Sequence, residues 1–247
     1  MTYAFVDQVA GYPAIEQVVA APTNLKDLNI VPGFLAQVID PVFGPGEAVF
    51  MRAGAGIRLG GLCMPLPVWD ATNQTYREDI IEVTNTTLLG RPAYIYLGNT
   101  ALTAGQYGWF LTSGIAPVNS AASVAIGVAI GIGAAGQAGT LATGKALLGA
   151  TVVAAATATV AKTGTGASGD NVIYFPSGTQ GMFAGQYASG TGVGSAAIVS
   201  AVFPDRVTVT VVNSAAIAGT VTMTNNNSTI FYNTVHINRP IFQGPIT

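Results

Sequence analysis

Short runs of apolar and β-branched residues, separated by Gly, Pro, Asn and Asp, recur along most of the chain. This pattern is typical of strands joined by turns. The clearest run is residues 206–212, R-V-T-V-T-V-V, in which Val and Thr alternate with the period of a half-buried strand. Pro204 and Asp205 precede it and predict a turn that pairs it with residues 197–203. We therefore predict an all-β fold, a glycine-punctuated β-barrel or sandwich.

The N-terminal stretch, residues 1–31, shows no sustained period. Residues 14–20 lie between two prolines and predict one short helix at most. The remainder predicts an extended arm, with a disordered tail as the alternative. Its apolar side chains are too numerous for a freely solvated tail, so we expect them to pack against a neighbouring molecule or against the chain's own core. The residues expected to make this contact are Tyr3, Phe5, Tyr12, Ile15 and Val18.

The remaining chain divides into two β units. Residues 32–162 together with 233–247 are predicted to form the main unit, to which the final apolar run at 235–242 returns. Residues 163–232 are predicted to form a second, smaller β unit. The Gly-, Thr- and Ser-rich run at 163–169 has the composition of a flexible linker leading into it.

Charge is scarce and unevenly distributed. Hydrophobic residues make up 50% of the 247 residues and charged residues 8%, whereas an average soluble domain is about 25% charged. Fourteen charged side chains lie in residues 1–91 and only six in residues 92–247. Interface cores are depleted in Lys, Glu and Asp, which predicts a surface covered by further copies or by partners. With a net charge of −2 and no basic cluster, nucleic-acid binding is excluded.

A membrane protein is the other class with so few charges. Residues 92–144 carry none, and residues 123–150 are rich in Ala, Gly and Val. Glycine recurs every two to five residues from Gly127 to Gly144, which disfavours a helix. Leu, Ile and Phe, which favour insertion most, are sparse there. We therefore expect no membrane partner.

Residues that could carry chemistry are few. Cys63 is the single cysteine and His236 the single histidine, so neither a His/Cys metal site nor a Cys–His or Ser–His–Asp set is indicated. His236 lies in an apolar run and is expected to be packed or at an interface. The G-x-G-x-x-G at residues 131–136 lacks the acidic residue about 20 positions on that a dinucleotide site needs, which favours a glycine-rich turn. We predict no enzyme, no metal and no cofactor.

Two clusters of side chains, one acidic and one aromatic, each allow an alternative function. Glu78, Asp79 and Glu82 could supply a carboxylate pair for glycoside hydrolysis, although a solvated strand face or an ion pair between subunits is favoured. Tyr107 and Trp109 lie two residues apart and share one strand face. They are predicted to be structural anchors in the core or at a subunit contact, and a sugar-stacking platform is the alternative.

Several segments, in this order, resemble one family. Residues 36–41 (A-Q-V-I-D-P) and 46–54 (G-E-A-V-F-M-R-A-G) look like the opening strands of a β-barrel in capsid decoration (cement) proteins of tailed bacteriophages. Residues 106–110 (Q-Y-G-W-F) and 114–118 (G-I-A-P-V) look like a later hairpin, and residues 237–242 (I-N-R-P-I-F) like the closing strand. The chain departs from the short members of that family by the long stretch 163–232.

The resemblance implies a non-enzymatic virion protein. It would bind the major capsid protein on the outer surface of the phage head, stabilise the shell and form a homotrimer, and the family has no catalytic residues to carry over. The alternative is a head or tail fibre or spike component that binds host surface glycans. A shell or tail-tube subunit is a third hypothesis.

Overall fold

The computed structural model describes residues 4–6, 12–15, 17–22, 30–71, 74–83, 90–141, 145–226 and 230–243. Regular structure within these ranges consists of β-strands, which confirms the predicted all-β class. In this part of the chain there is no helix long and apolar enough to cross a membrane.

The short helix predicted for residues 14–20 is wrong. The amide of Gln17 donates to the carbonyl of Ala14 at 2.9 Å and closes a single turn. Val19 then forms an antiparallel bridge with Tyr107, in which the two N···O distances are 3.0 and 2.9 Å. A helix of seven residues is marginal in water, whereas pairing with a neighbouring strand satisfies the backbone directly.

The main unit is a sheet of eleven strands. They are β1 (Ala4–Phe5), β2 (Leu35–Asp40), β3 (Gly44–Ala53), β4 (Leu62–Asp70), β5 (Thr75–Glu82), β6 (Tyr94–Tyr96), β7 (Tyr107–Ser120), β8 (Ala129–Ile132), β9 (Ala138–Thr140), β10 (Ala146–Ala154) and the C-terminal β17 (Phe231–Phe242). Their order is β1-β2-β3-β5-β4-β6-β7-β17-β10-β8-β9. The C-terminal strand thus returns to the main unit, as predicted.

Strand β7 organises this unit because it belongs to two circuits of paired strands. Its first half pairs with β3 and β6, and its second half pairs with β17. The hairpin that the resemblance implied for residues 106–118 is therefore wrong, since these residues from Tyr107 onward form one continuous strand. The first circuit runs β3-β5-β4-β6-β7 and closes on β3. The second runs β7-β17-β10-β8-β9 and closes through the pair Ser120 and Ala138. Every strand of the first circuit contributes to one buried cluster, which includes Met51, Cys63, Ile80, Tyr96 and Phe110.

The second unit is a closed barrel of six strands. They are β11 (Thr159–Gly166), β12 (Val172–Tyr174), β13 (Tyr187–Ser189), β14 (Ala197–Val202), β15 (Arg206–Val209) and β16 (Ile217–Thr224). Their order around the barrel is β11-β12-β15-β14-β13-β16. The predicted hairpin is confirmed, since β14 and β15 pair antiparallel with Val202 opposite Val207. Val207 and Val209 point into the barrel core and Thr208 between them is half-buried, which is the predicted alternation. The prediction is wrong for residues 210–212, because the strand ends at Val209 and Val211 is exposed.

The linker predicted at residues 163–169 is wrong. Most of it belongs to β11, which pairs with β16 over its whole length. Gly164 faces the core, where a Cβ atom would lie 3.1 Å from Ile173, Phe175 and Val221. Glycine at this position therefore allows the three core side chains to pack close to the backbone, and it does not indicate a flexible backbone. The barrel begins at Thr159 and ends at Thr224, against the predicted limits of 163 and 232.

The buried amide of Asn233 holds together the segments where the two units meet. Its Oδ1 accepts hydrogen bonds from the amides of Val124 at 3.0 Å and Ala156 at 2.9 Å. Its Nδ2 donates to the carbonyl of Ala122 at 2.9 Å. Because Ala156 lies in the turn between β10 and β11, this one side chain fixes both the connection to the barrel and the loop after β7.

Candidate functional site

The described part of the N-terminal arm packs on the main unit of its own chain. The ring of Phe5 lies 5.9 Å from that of Tyr12, and both rings pack against the main core. Ile15 is buried in the same core, and Val18 packs against the cluster inside the first strand circuit. Tyr3 lies outside the described residues. Contact with a neighbouring molecule, the other possibility for this arm, stays a prediction.

Trp109 lies beneath the arm and is fully buried. Its ring centroid is 5.0 Å from that of Phe5 and 5.3 Å from that of Phe50, and its Nε1 donates to the carbonyl of Pro13 at 3.2 Å. Tyr107 is also buried and stacks on Phe50 at 5.7 Å. Both predicted anchors are therefore interior residues. The alternative of a sugar-stacking platform at these two positions is wrong, because the indole of Trp109 does not reach solvent.

The middle carboxylate of the acidic cluster is neutralised within the chain. Asp79 has a side chain only 4% exposed, and it accepts hydrogen bonds from Arg52 at 2.7 Å and Arg77 at 3.1 Å. The hydrogen bond with Asp79 raises the pKa of Arg77. A solvated strand face is therefore the wrong description of Asp79, whose charge is buried only because two guanidinium groups accompany it.

The two glutamates of the cluster have different surroundings. Glu82 Oε1 accepts from the side chain of Arg58 at 2.9 Å and from its backbone amide at 2.7 Å. Glu78 is exposed to solvent. A glycosidase needs two carboxyl groups that both face one substrate bond. Glu82 instead faces Arg58 of its own chain and is ion-paired with it. The cluster therefore stabilises the junction of β5 with the loop after β3.

The single thiol, of Cys63, is buried, whereas the single imidazole, of His236, is exposed. Cys63 is fully buried, and burial raises the pKa of its thiol well above the usual value, which leaves it unreactive. His236 is exposed on β17, so the expectation that it is packed is wrong, and a role at an interface stays a prediction. Among the described residues, no three His, Cys, Asp or Glu side chains come together as a metal ion would require.

The glycine motif at residues 131–136 forms a tight turn between β8 and β9, as predicted. Gly136 has φ +66° and its amide donates to the carbonyl of Val83 at 2.8 Å. A Cβ atom at Gly136 would collide with the carboxylate of Glu82. The segment continues directly into β9, so the helix N-terminus on which a dinucleotide phosphate rests is missing here.

An outward apolar surface covers the β2 strand and its flanks. We call it the β2 face, and its large hydrophobic side chains are Val31, Phe34, Leu35, Ile39 and Val42. Leu35 and Ile39 are about half exposed, at 52% and 47%, while Val38 points into the main core. Gln37 lies between Leu35 and Ile39 on the same face and donates to Glu47 at 3.5 Å, so one polar pair interrupts the apolar surface. Asp40 fixes the end of this face, since its Oδ1 accepts from the amides of Val42 at 2.7 Å and Phe43 at 3.0 Å.

A second exposed group lies at the end of the β4–β5 hairpin. Trp69 and Tyr76 pair across the two strands, their ring centroids 4.9 Å apart, with exposures of 51% and 79%. Our sequence predictions did not include this pair. Its signal was present, because the polar residues 72–75 separate two stretches that carry one aromatic residue each and indicate a hairpin turn.

Two buried tyrosine side chains, of Tyr96 and Tyr232, should make the stability of the fold decrease at alkaline pH. Burial raises the pKa of Tyr232 to about 12 and that of Tyr96 still further, against about 10 in an unfolded chain. Their contribution is fully present below pH 10 and is lost as the pH rises, because only the unfolded state releases the protons. We expect the free energy of unfolding to fall by about 1.4 kcal/mol per pH unit for each phenol between about pH 10 and 12.

Urea midpoints measured across that pH range test this expectation. Tyr232→Phe is the matched control, because it keeps the ring that packs on Phe183 at 5.5 Å and removes one titrating group. The variant should show a slope smaller by about 1.4 kcal/mol per pH unit. Equal slopes in the two proteins would contradict the assignment of the effect to Tyr232.

Comparison with known proteins identified no relative of this chain. No protein-family model, no curated protein and no solved structure matches the chain. Its function must therefore be inferred from the surfaces and side chains described above.

Proposed function

We propose that this chain is a non-enzymatic decoration protein of a tailed-bacteriophage head. It binds the major capsid protein on the outer surface of the shell, stabilises the shell and associates with itself as a homotrimer. The observation that carries the proposal is the β2 face, which presents five large hydrophobic side chains within the twelve residues 31–42. The family resemblance of residues 36–54 supports it further, since the β2 face lies at the start of that segment.

The β2 face has the properties of a protein contact. Large apolar side chains grouped on a surface mark interaction sites on soluble proteins. The outward face of β2 is open to solvent among the described residues, because Leu35 and Ile39 on it are about half exposed. The turn held by Asp40 keeps Val42 in a fixed place, and a rigid surface loses less entropy on binding.

A non-enzymatic role is supported by the state of the reactive side chains. Asp79 and Glu82 are engaged in ion pairs with arginines of the same chain. The thiol of Cys63 is enclosed in the core. Each of these groups has a structural role that catalysis would disturb, and a protein that only coats a shell requires none of them to react.

Binding to bare heads tests the proposal. Heads of the phage that encodes this chain, purified without it, are mixed with the protein and sedimented. Ile39→Lys should raise the Kd by about 30- to 150-fold, because about 2–3 kcal/mol is lost when a buried isoleucine is replaced by a charge at an apolar contact. A wild-type copy number in the hundreds per head is expected, whereas a fibre would reach a few dozen.

Val212→Lys is the matched control. Val212 is 54% exposed on the barrel unit, against 47% for Ile39, so the substitution adds the same charge at a comparable site away from the β2 face. It should leave the Kd unchanged. Wild-type affinity of the Ile39→Lys protein for bare heads would contradict the role of the β2 face.

The free protein is expected to be a trimer that survives high salt. With six charged side chains in its last 156 residues, the chain has few groups for ion pairs between subunits. Apolar burial contributes about 25 cal/mol per Å² before the costs of association and is little affected by salt. Light scattering at about 1 M salt, where the screening length is about 3 Å, should still report a trimer. A monomer at micromolar concentration would contradict self-association, and dissociation with rising salt would contradict its apolar basis.

A further inference from the structure

We propose that the barrel unit carries a binding site for a single neutral sugar residue, a function beyond attachment to the head. The site is a shallow depression of about 260 Å³ between the end of β12 and the turn before β15. We call it the cup, and its lining residues are Tyr174, Phe175, Pro176, Gly178, Pro204 and Asp205. All of them belong to the barrel, so the cup is separate from the β2 face.

The walls of the cup are held by backbone and hydroxyl hydrogen bonds. The amide of Phe175 donates to the carbonyl of Asp205 at 2.7 Å, and the amide of Gly178 donates to the carbonyl of Phe175 at 2.8 Å. The hydroxyl of Thr179 donates to the carbonyl of Phe203 at 2.6 Å. The two loops that form the cup are therefore connected directly, and a preformed site avoids the entropy cost of ordering them on binding.

One aromatic ring of the cup faces solvent. Tyr174 is 45% exposed, whereas Phe175 beside it is buried in the barrel core. The face of an aromatic ring carries negative electrostatic potential. The C–H groups on one side of a pyranose ring are weakly positive and flat enough to pack on such a face. Tyr174 thus supplies the stacking surface, and the two prolines supply apolar walls around it.

The carboxylate that lines the cup is paired with an arginine just outside the lining. Asp205 Oδ1 accepts from Arg206 Nη1 at 3.0 Å, and the guanidinium of Arg206 lies 4.6 Å from the ring centroid of Phe203. Among the described residues, no side chain is paired with Asp205 Oδ2. A carboxylate oxygen accepts from hydroxyl groups, so Asp205 supplies the polar contact of the cup. Because the pair is neutral overall, it favours an uncharged ligand over a cation or an anion.

The size of the cup selects among neutral ligands. Sites for drug-sized molecules measure about 300–1,000 Å³, and this one is smaller, which suits one sugar residue at the end of a chain. A proline-rich peptide also packs on tyrosine and proline, but it needs an extended groove lined by several aromatic rings. Tyr174 is the one cup residue that presents an aromatic ring to solvent. The observations therefore favour a saccharide.

Nuclear magnetic resonance titration of the full chain tests the site. The probes are the methyl glycosides of glucose, galactose, mannose and N-acetylglucosamine, each added to about 50 mM because a single sugar residue is expected to bind with a Kd on the order of 1–10 mM. At least one probe should shift the amide signals of residues 174–178 and 203–206. Tyr174→Ala and Asp205→Asn should each weaken binding by about tenfold.

Tyr174→Phe is the matched control, because it keeps the ring and should keep the affinity within about threefold. Thermal melting of each variant verifies folding, and since Tyr174 and Asp205 are exposed, all should melt like the wild type. The proposal is overturned if none of the four glycosides shifts the cup signals, or if Tyr174→Ala binds as the wild type does. The proposal would also be overturned if a hexaproline peptide shifted the cup signals and none of the glycosides did. Attachment to bare heads is measured separately and does not depend on either result.

Discussion

Replacing Trp109 with alanine should lower the free energy of unfolding by about 3–5 kcal/mol. The side chain has no exposed surface and fills the space between Phe5 of the arm and Phe50 of the sheet. Its loss leaves a cavity and also removes the donor to the carbonyl of Pro13, so lost packing and a lost hydrogen bond act in the same direction. Urea unfolding followed by circular dichroism measures the difference.

The second tryptophan of the chain provides the control for this experiment. Trp69→Ala removes the same indole from a site that is half exposed and contacts Tyr76. We expect it to cost at most about 1 kcal/mol. A cost below about 1 kcal/mol for Trp109→Ala would contradict the anchoring role, because a fully buried indole must lose more than an exposed one.

Replacing Asn233 with leucine should cost at least about 3 kcal/mol, since each of its three buried partners would lose its hydrogen bond at about 1–3 kcal/mol. Leucine has nearly the same shape, so the effect reports the polar atoms rather than a cavity. The amides of Val124 and Ala156 and the carbonyl of Ala122 would be left without a partner. Because Ala156 precedes β11, the attachment of the barrel should loosen as well.

Asn238→Leu, on the same strand but at an exposed position, is the matched control and should change stability by less than about 0.5 kcal/mol. Hydrogen exchange should show faster exchange of the Val124 and Ala156 amides in the Asn233→Leu protein alone. Unchanged exchange at these two amides would contradict the role given to Asn233, even if the variant were less stable.

Local pattern was sufficient to predict the class of fold and the hairpin of β14 with β15. Residues 206–209 alternate because one side of a barrel strand meets the core and the other meets solvent. The hairpin before them follows from Pro204 and Asp205, whose turn chemistry acts over a few residues. Burial of Trp109 and the return of the last strand were also predictable, because large apolar side chains leave water wherever the fold permits.

Tertiary contacts decided which interpretation of an ambiguous segment was right. Residues 163–169 have the composition of a linker, yet Gly164 is a strand residue because it pairs with Gly219 of β16, more than fifty positions away. Residues 14–20 were predicted as a helix, but Val19 pairs with Tyr107, nearly ninety positions away in the sequence. Neither contact is visible in a local window of residues.

The candidate sites depended most on the tertiary structure. The acidic residues at 78–82 form a recognisable cluster in the sequence, but only the fold brings Arg52 and Arg58 to Asp79 and Glu82. The cup likewise joins residues near 175 to residues near 205. The sequence by itself determined the all-β class, the β14–β15 hairpin and the buried anchors, because these follow from short-range periodicity and hydrophobicity. The tertiary structure alone decided the pairing of strands, the neutralisation of charge and the shape of the exposed surfaces, because these arise between segments far apart in the chain.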